Sequence, residues 1–387
     1  MSSQPSRLFT SESVTEGHPD KLCDQISDAI LDAYLEQDPY ARVACEAAAK
    51  GTNIFLLGEI RVREEMANEV RVDAAEVVKD VLQGIGYPEE DSFGPHSHCL
   101  HIHLAEQNDA LAGSVDRGAG DQGMMFGYAC RETPSLMPLP IELAHQLTRA
   151  MRDQRKRNHL PWMLADGKSQ VTVGYGGVSP VVDTVVISTQ YRSGTSKETV
   201  ETGVLQSVIG PVLEEYGLGE PPNIHINPSG EFVDGGPVAD AGLTGRKIIV
   251  DTYGGMGRHG GGAFSGKDAT KVDRSGAYVA RLLAKCTVAA DLAERCEVQL
   301  AYAIGIADPV GIFVETFGTS RVPDGTIVDR IRDCFDLTPR GIIETLGLRR
   351  PIFRQTAAYG HFGRPDLDLP WENLELPRAA EFIQSWS

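Results

Sequence analysis

The chain has 387 residues, which is enough for two or three domains that each bury a core of their own. Hydrophobic residues make up 41% and charged residues 23% of it, proportions typical of globular proteins, and the formal net charge is -18. A surface this acidic repels phosphate backbones, so we expect no nucleic-acid partner and expect any bound polyanion to meet locally concentrated cations.

The N-terminal residues contain no apolar stretch of the kind found in signal peptides, and no apolar run reaches the ~20 residues of a membrane span. The seven cysteines are scattered, and no two of them stand in C-x-x-C spacing. This pattern favours reduced thiols over a disulfide framework or a zinc site. We therefore predict a cytoplasmic protein with no membrane partner.

The first third of the chain predicts a helix, a hairpin, a second helix and a strand. Pro19 suits the first position of a helix, and Gly51 separates two strand-like runs. In chain order, these elements are predicted at 19–36 (helix), 41–49 and 52–62 (hairpin), 68–84 (helix) and 98–104 (strand).

A similar order is predicted twice more. The second set has a helix at 140–157, strands at 169–175 and 181–190, a helix at 199–215 and a strand at 223–227. The third has a strand at 247–251, a helix at 270–295, strands at 297–305 and 310–317 and a helix at 325–335. The pattern predicts an α+β protein made of three β-α-β-β-α-β-like units.

Two glycine-rich segments lie outside this pattern. Residues 105–123 are polar and aperiodic, as expected for a plain connector or for a mobile lid over a site. Residues 253–267 hold seven glycines in fifteen positions, a density that favours close approach of the backbone to a ligand. With Lys267 at its end, this second segment predicts a polyphosphate site; the alternative is an exposed turn.

The glycine loop matches two nucleotide-binding motifs only in part. Residues 255–260 fit G-x-G-x-x-G, but no helix is predicted to begin there at once. Residues 261–267 fit G-x-x-x-x-G-K, but the next residue is Asp268, where a Walker loop needs Ser or Thr for Mg²⁺. Neither common nucleotide-binding fold is therefore predicted.

Other charged residues stand near glycines or a predicted helix start. His18 and Lys21 flank the start of the first helix, whose free amides favour anions. Asp20 and Asp273 are candidate Mg²⁺ ligands, because hard cations take carboxylates. Each has an ordinary structural explanation when taken alone, such as a helix cap or a solvated charge.

Taken together, eight segments resemble the signature segments of the methionine adenosyltransferases. The resemblance runs from about residue 7 to about residue 371. The segments are TSESVTEGHPDK (10–21), GAGDQG (118–123), PW (161–162), DGKSQV (166–171), GLTGRK (242–247), DTYGG (251–255), GGGAFSGKD (260–268) and TAAYGHFGR (356–364).

The resemblance implies a fold of three α+β domains related by pseudo-threefold symmetry. On this basis the expected divisions are an N-terminal domain at 6–104, a mobile lid at 105–122, a central domain at 123–230 and a C-terminal domain at 231–372. The family's dimers place active sites between subunits, so a homodimer is expected, with two dimers forming a homotetramer.

The resemblance also implies ATP and L-methionine as substrates, with two Mg²⁺ ions and one K⁺ as cofactors. The positions that match ATP contacts are His18, Asp166, Lys168, Phe232, Asp240, Arg246, Lys247, Ala263 and Lys267. Among them, His18, Lys168, Arg246 and Lys267 match the catalytic positions. Methionine contacts correspond to Glu59, Gln107, Asp240 and Lys271, Mg²⁺ ligands to Asp20 and Asp273, and the K⁺ ligand to Glu46.

Three residues depart from the family pattern. Glu231 stands where an Arg is usual, Ala239 replaces a Gly before Asp240, and Leu57 replaces a common Gly. The run at 115–118 is also shorter than in relatives. We expect the side chain of Glu231 to point away from the bound phosphates, because a carboxylate among them would repel ATP.

The implied reaction is attack of the methionine sulfur on C5′ of ATP, followed by tripolyphosphate hydrolysis. A thioether has no proton to remove, so no general base is needed; Asp121 and Asp240 are candidates for the sulfur side. Two alternatives come from other functional classes. One is an NTPase or kinase that uses the Walker-like loop, and the other is a non-catalytic paralogue that binds nucleotide beside an active subunit.

Overall fold

The computed structural model describes residues 7–87, 93–106, 118–177 and 179–386. Its first part forms β1 (Arg7–Val14), α1 (Pro19–Gln37), β2 (Arg42–Lys50), β3 (Asn53–Arg61), α2 (Ala74–Ile85) and β4 (Cys99–Glu106). The middle part forms β5 (Gly123–Cys130), α3 (Leu139–Lys156), β6 (Met163–Tyr175), β7 (Val181–Tyr191), α4 (Lys197–Val204), α5 (Gly210–Glu215) and β8 (Asn223–Ile226). The last part forms α6 (Gly236–Ala239), β9 (Gly242–Leu243), α7 (Ile248–Asp251), α8 (Val272–Ala289), β10 (Arg295–Tyr302), β11 (Gly311–Glu315), α9 (Asp324–Cys334), α10 (Pro339–Leu346) and α11 (Pro377–Gln384).

The first sheet has the strand order β4-β3-β2-β9, and α1 packs against β2. β2 and β3 form the predicted antiparallel hairpin at Gly51, whose φ of 60° suits glycine. β4 pairs parallel with β3, and β9 pairs antiparallel with β2. Leu22, Ile26 and Ile30 of α1 are fully buried, because their helical spacing places them on one face.

The second sheet has the order β1-β6-β7-β8 and the third has the order β11-β10-β5. The second sheet and the helices α3 to α5 form a hydrophobic core of their own. A single continuous core lies between the elements of the first and third sheets. The predicted mixture of helices and strands is therefore confirmed, with a helix-flanked hairpin in each sheet.

Each sheet also takes in a strand from a distant part of the chain. β1, at the N-terminus, pairs antiparallel with β6 of the second sheet, and β5 pairs antiparallel with β10 of the third. β9 returns to the edge of the first sheet. The expected divisions at 104, 122 and 230 remain predictions about sequence segments, and the three sheets do not follow them.

One predicted strand is wrong. Residues 248–251 form α7, a single helical turn in which the amide of Asp251 donates to the carbonyl of Lys247 at 2.8 Å. A short apolar run cannot be assigned to strand or helix from periodicity alone. The predicted helix at 270–295 ends earlier, at Ala289 in α8, and the one at 68–84 begins only after Asp73, whose carboxylate caps α2.

Six elements were not predicted, namely β1, β5, α6, β9, α10 and α11. Most of the expected lid lies outside the described residues, since 107–117 fall in a gap between the described ranges. Within those ranges, no helix combines the length and hydropathy needed to cross a bilayer.

Gly127 provides a test of the packing between β5 and α8. A Cβ atom at this position would lie 1.9 Å from the carbonyl oxygen of Ala280, so one backbone would have to move away from the other. We expect G127A to lower the free energy of unfolding by about 1–3 kcal/mol, the usual cost of overpacking a core. Thermal unfolding monitored by circular dichroism would measure this loss.

The matched control is G311A on β11, where the nearest atom to an added Cβ is 3.7 Å away. This contact is an ordinary one, so the control should melt close to the unsubstituted protein. Equal melting temperatures for G127A and G311A would contradict the packing described here.

Candidate active site

The first group of predicted site residues gathers at the N-terminus of α1. His18 is the N-cap residue, and Pro19 follows at the first helical position. The loop before it is held against β6, because Thr15 donates from its hydroxyl to the carbonyl of Ala165 at 2.6 Å. A Cβ atom on Gly17 would lie 2.5 Å from Ala165, so this loop needs glycine at that position.

The His18 imidazole is buried and neutral. Burial lowers its pKa to about 3, and the nearby ammonium of Lys247 adds to this shift. Its Nδ1 atom accepts a hydrogen bond from the amide of Asp20 at 3.2 Å. The single proton of the neutral ring must therefore reside on Nε2, which makes that atom a hydrogen-bond donor.

The Asp20 carboxylate is surrounded by donors. It accepts from the amide of Leu243 at 3.0 Å and from Nζ of Lys247 at 2.6 Å, and Nε of Arg246 lies 3.8 Å away. Burial acts to raise its pKa, but the bonds from Lys247 and Leu243 prevail and hold that pKa below its usual range. Asp20 is therefore ionised.

β6 places Lys168 and Asp166 beside this group. Lys168 is exposed and forms no ion pair within the described ranges, although its charge acts on His18. We call His18, Asp20, Lys168, Arg246 and Lys247 the histidine cluster. It holds three cations and one carboxylate, so it favours an anionic ligand.

Asp166 lies beneath the histidine cluster and is only 5% exposed. Its Oδ2 atom accepts from the amide of Gly236 at 2.9 Å, and its Oδ1 atom has no partner among the described residues. Burial raises its pKa to about 6. A buried carboxylate oxygen without a protein partner is costly, so a water molecule or a ligand is expected to donate to it.

Phe232 and Asp240 lie on the segment that leads from β8 to α6 and β9. The Phe232 ring packs against the core of the second sheet, and its carbonyl accepts from the amide of Tyr191 at 2.9 Å. Asp240 is exposed at the end of α6, near enough to influence both His18 and Asp166 electrostatically. Glu231 and Ala239, which depart from the family pattern, are both exposed.

The second group lies at the end of the glycine loop. Lys267 donates to Asp273 at 2.6 Å, and Lys271 donates to Asp268. We call these four residues the lysine cluster. The loop approaches α1 and β2 so closely that a Cβ atom on Gly266 would lie 1.8 Å from the carbonyl oxygen of Cys45.

Asp268 explains why the Walker-like pattern does not make a Walker loop. Its carboxylate accepts from the amide of Val43 at 2.8 Å and from the amide of Thr270 at 2.8 Å, in addition to Lys271. The helix that follows, α8, begins only at Val272, and no strand precedes the loop at 247–251. The kinase or NTPase alternative therefore lacks its structural basis.

β2 carries both clusters along one edge. Ala44 bridges to Lys267, and Ala48 pairs with Leu243 beside the histidine cluster. Four residues along a strand span about 13 Å. No hydrogen bond or ion pair between described side chains joins the two clusters directly. Within the described residues, the two clusters are therefore separate groups.

Other predicted residues lie on the face of the first sheet that points away from α1, here called the open face. Glu46 and Glu59 are exposed there, on β2 and β3. Ala263 is half-buried, beside Gly245, and Asp121 is exposed with its carboxylate accepting from the amide of Gln122. Gln107 lies outside the described residues.

Sequence analysis missed the aspartate row of α1, formed by Asp20, Asp24, Asp28 and Asp32. Each carboxylate accepts backbone amides from the C-terminal half of the chain. The donors are Leu243, Gly245, Gly266 and the pair Phe353 and Arg354, respectively. The spacing of these aspartates was a signal in the sequence. Four like charges at i, i+4 spacing on a helix repel each other, so each must have a partner elsewhere in the chain.

Three family models match the chain in succession. The N-terminal, central and C-terminal domains described as S-adenosylmethionine synthetase match residues 6–109, 116–232 and 234–373. The S-adenosylmethionine synthase of Clostridium tetani (strain Massachusetts / E88) is 52% identical over 385 residues, which cover 95% of this chain and 97% of that protein. The chain belongs to the S-adenosylmethionine synthetase family.

Membership confirms the resemblance found in the sequence and makes the chain a transferase, a methionine adenosyltransferase. The S-adenosylmethionine synthetase family uses ATP and methionine and depends on metal ions. The histidine cluster has the charge that a polyphosphate substrate of this family requires.

The protonation of His18 can be measured directly. We expect its ¹³Cε1 resonance, identified by its loss in H18Q, to stay at the neutral position from pH 8 to pH 5, because the pKa is about 3. The unfolded chain takes up this proton near pH ~6.5, so the site reduces stability as pH falls from there toward 3. A titration midpoint close to that of free histidine would show that the ring is not buried among cations.

Proposed function

We propose that the chain converts ATP, L-methionine and water into S-adenosyl-L-methionine, phosphate and diphosphate. The observation that supports this most strongly is the histidine cluster, in which a neutral, Nε2-protonated His18 lies among Lys168, Arg246 and Lys247. A site built this way stabilises negative charge that grows on an oxygen, and it lacks a paired nucleophile and base.

In the proposed first step, a lone pair of the methionine sulfur forms a bond to C5′ of ATP. The bond from C5′ to the phosphate oxygen breaks, and tripolyphosphate leaves with that electron pair. The sulfur becomes a sulfonium cation without losing a proton. Stabilisation of the leaving oxygen by fixed donors is therefore the main catalytic demand.

The histidine cluster meets this demand. The Nε2–H group of His18 donates to the oxygen that leaves C5′, while Lys168, Arg246 and Lys247 bind the phosphates. Phe232, Asp166 and Ala263 complete the contacts to ATP, and the unpartnered Oδ1 of Asp166 accepts from the nucleotide. Because His18 is held at the start of α1, and Asp166 and Lys168 stand on β6, these three groups need little rearrangement when charge develops.

The same cations serve the second step. One water attacks the bound tripolyphosphate, and the products are phosphate and diphosphate. Lys267 of the lysine cluster contributes to this phosphate site.

Carboxylates suit the divalent ions that the family requires. Asp20 is ionised, and Asp273 offers a carboxylate beside Lys267, so each would hold one Mg²⁺ together with substrate phosphate oxygens. Bound Mg²⁺ would neutralise charge on the tripolyphosphate. Glu46, exposed on the open face, would hold K⁺.

Methionine binds on the lysine-cluster side of the site. Its carboxylate and amino groups meet Lys271, Glu59, Gln107 and Asp240, and the sulfonium charge that develops is offset by Asp240 and Asp121. We also propose that residues 105–122 form a lid over this site. Only its two ends lie within the described residues.

Two copies of the chain are needed for a complete site. The open face exposes Phe55, Leu57 and Leu243 by 37%, 45% and 42% of their surfaces, which favours burial against a second copy. A twofold axis over this face would place the histidine cluster of one subunit opposite the lysine cluster of its partner. The active sites then lie at the interface of a homodimer, and two dimers form a homotetramer.

Three further proposals complete this description. The domains divide at 6–104, 123–230 and 231–372 and are related by pseudo-threefold symmetry, as the repeated helix-flanked hairpin suggests. The protein is cytoplasmic, in keeping with seven cysteines that are all free thiols.

The direct test is to incubate the purified protein with ATP, methionine, Mg²⁺ and K⁺ and to detect S-adenosylmethionine, phosphate and diphosphate by mass. Omission of Mg²⁺ should abolish product, and replacement of K⁺ by Na⁺ should reduce it. Phosphate release that does not depend on methionine would instead support an NTPase. Nucleotide binding without any product would support the non-catalytic paralogue.

K168A and H18A each remove one group that stabilises the leaving tripolyphosphate. We expect kcat for S-adenosylmethionine formation to fall by ~100-fold or more in both, the usual effect of losing one such donor. KM for ATP should change less, since several cations remain. The control is K197A, because Lys197 is 76% exposed on α4, away from both clusters; near-normal kcat in K168A would refute its role.

Mixing two inactive variants tests whether the sites are shared. In a dimer of one H18A chain and one K267A chain, one site carries both substitutions and the other carries neither. Half of the randomly mixed dimers are of this kind, so about a quarter of the original activity should return after denaturation and co-refolding. No recovery beyond the separate variants would place each complete site within one chain.

A further inference from the structure

The two clusters of one chain are joined by a buried polar path that the reaction itself does not use. The path starts at the carbonyl of Lys267, which accepts from Nη1 of Arg274 at 3.0 Å. Arg274 also forms a two-pronged ion pair with Asp28 at 2.7 and 2.8 Å, and both side chains are fully buried. This pair fixes the end of the glycine loop against α1.

The path continues through a tyrosine and a histidine. Nε of Arg274 donates to the Tyr278 hydroxyl at 3.0 Å, and that hydroxyl lies 2.8 Å from Nδ1 of His361. Tyr278 and His361 are both fully buried, and the Tyr278 ring is stacked on Trp371. Burial, with Arg274 nearby, lowers the pKa of His361 well below its usual range, so its ring is neutral.

The path ends at the histidine cluster. The amide of His361 donates to the carbonyl of Asp251 at 3.0 Å, and the amide of Asp251 donates to the carbonyl of Lys247 at 2.8 Å. The Asp251 carboxylate accepts from Lys21, which is three residues beyond His18 on α1. The helical turn that carries Lys247 is thus tied both to α1 and to His361.

We propose that Tyr278 and His361 are positioning residues that fix Lys247 and Lys267 of one chain relative to each other, and thereby set how each cluster meets its counterpart across the dimer interface. The proposal rests on the proposed function of the two clusters. On one side, the aspartate row of α1 already joins the loops that carry the two clusters. On the other side, the Tyr278–His361 contact provides a second connection between these loops. Contacts with α1 alone would allow the two loops to tilt relative to each other. Buried contacts on both sides hold the loops in one relative position.

The first test is kinetic. Y278F removes one hydroxyl and keeps the ring and its stacking, so we expect kcat for S-adenosylmethionine formation to fall by ~10-fold with KM changed by less than ~3-fold, because small misplacements act mainly on the transition state. The control is Y302F, which removes a buried hydroxyl that donates to the carbonyl of Leu337 at 2.7 Å, outside this path. Equal kcat values in Y278F and Y302F would overturn the proposal.

Substitution of His361 separates positioning from packing. H361N keeps a polar atom near the place of Nδ1 and should retain most of the kcat, whereas H361L should lose as much as Y278F. Combining Y278F with H361L should cost no more than either change alone, because both cut the same contact. Multiplication of the two losses would show that the residues act separately and would contradict the proposed link.

Hydrogen exchange tests the link without any assay of activity. Y278F should speed amide exchange in two separate peptides, 245–251 and 264–270, while Y302F should leave both unchanged. Unaltered exchange in both peptides would refute the link whatever the activity. Faster exchange in Y278F, combined with no S-adenosylmethionine from the unsubstituted protein, would support the link and refute the proposed function.

Discussion

The aspartate row of α1 is the constraint on which the positions of both clusters depend. Its carboxylates are one helical turn apart, and each accepts a backbone amide from a loop of the C-terminal half of the chain. Such bonds are short-range and directional, so they fix where each loop lies along the helix. Four carboxylates on one helix repel each other, and the surrounding cations and amides offset this repulsion. Lys21 forms ion pairs with Asp24 and Asp251, and Arg274 forms one with Asp28. Removing either of these cations would leave a buried carboxylate without a countercharge.

This arrangement explains how a chain of net charge -18 can bind polyphosphate. The cations of the histidine and lysine clusters are concentrated where α1 and β2 bring loops together. Lys247 and Lys267 are each paired with an aspartate in the free protein. On binding, the phosphates of ATP would replace the aspartates as partners of these lysines, and Mg²⁺ would replace the lysines as partner of the aspartates. The proposed site therefore exchanges one set of ion pairs for another and never exposes unpaired cations. Burial of His18 keeps its ring a neutral donor over the physiological pH range.

Much of the local structure followed from the sequence. Pro19 marked the start of α1, Gly51 marked the hairpin of β2 and β3, and the helical spacing of Leu22, Ile26 and Ile30 identified the buried face of α1. Errors arose where a segment depends on distant partners. Residues 247–251 are apolar enough for a strand but are pulled into a helical turn between Lys21 and His361. β1 and β5 went unpredicted because each is a single strand whose partner lies more than a hundred residues away.

The sequence by itself determined the family, the reaction class and the residue types of the site, because those depend on the chemistry of short, uninterrupted segments. It showed His18 beside Asp20 and Lys267 at the end of a glycine loop, but not that these belong to separate clusters that meet β2 at points four residues, or about 13 Å, apart. Only the tertiary structure decided that separation, the neutral state of His18 and the burial of Asp166. Each of these is a property of surroundings assembled from distant parts of the chain, and packing and desolvation have no counterpart in the order of residues along a chain.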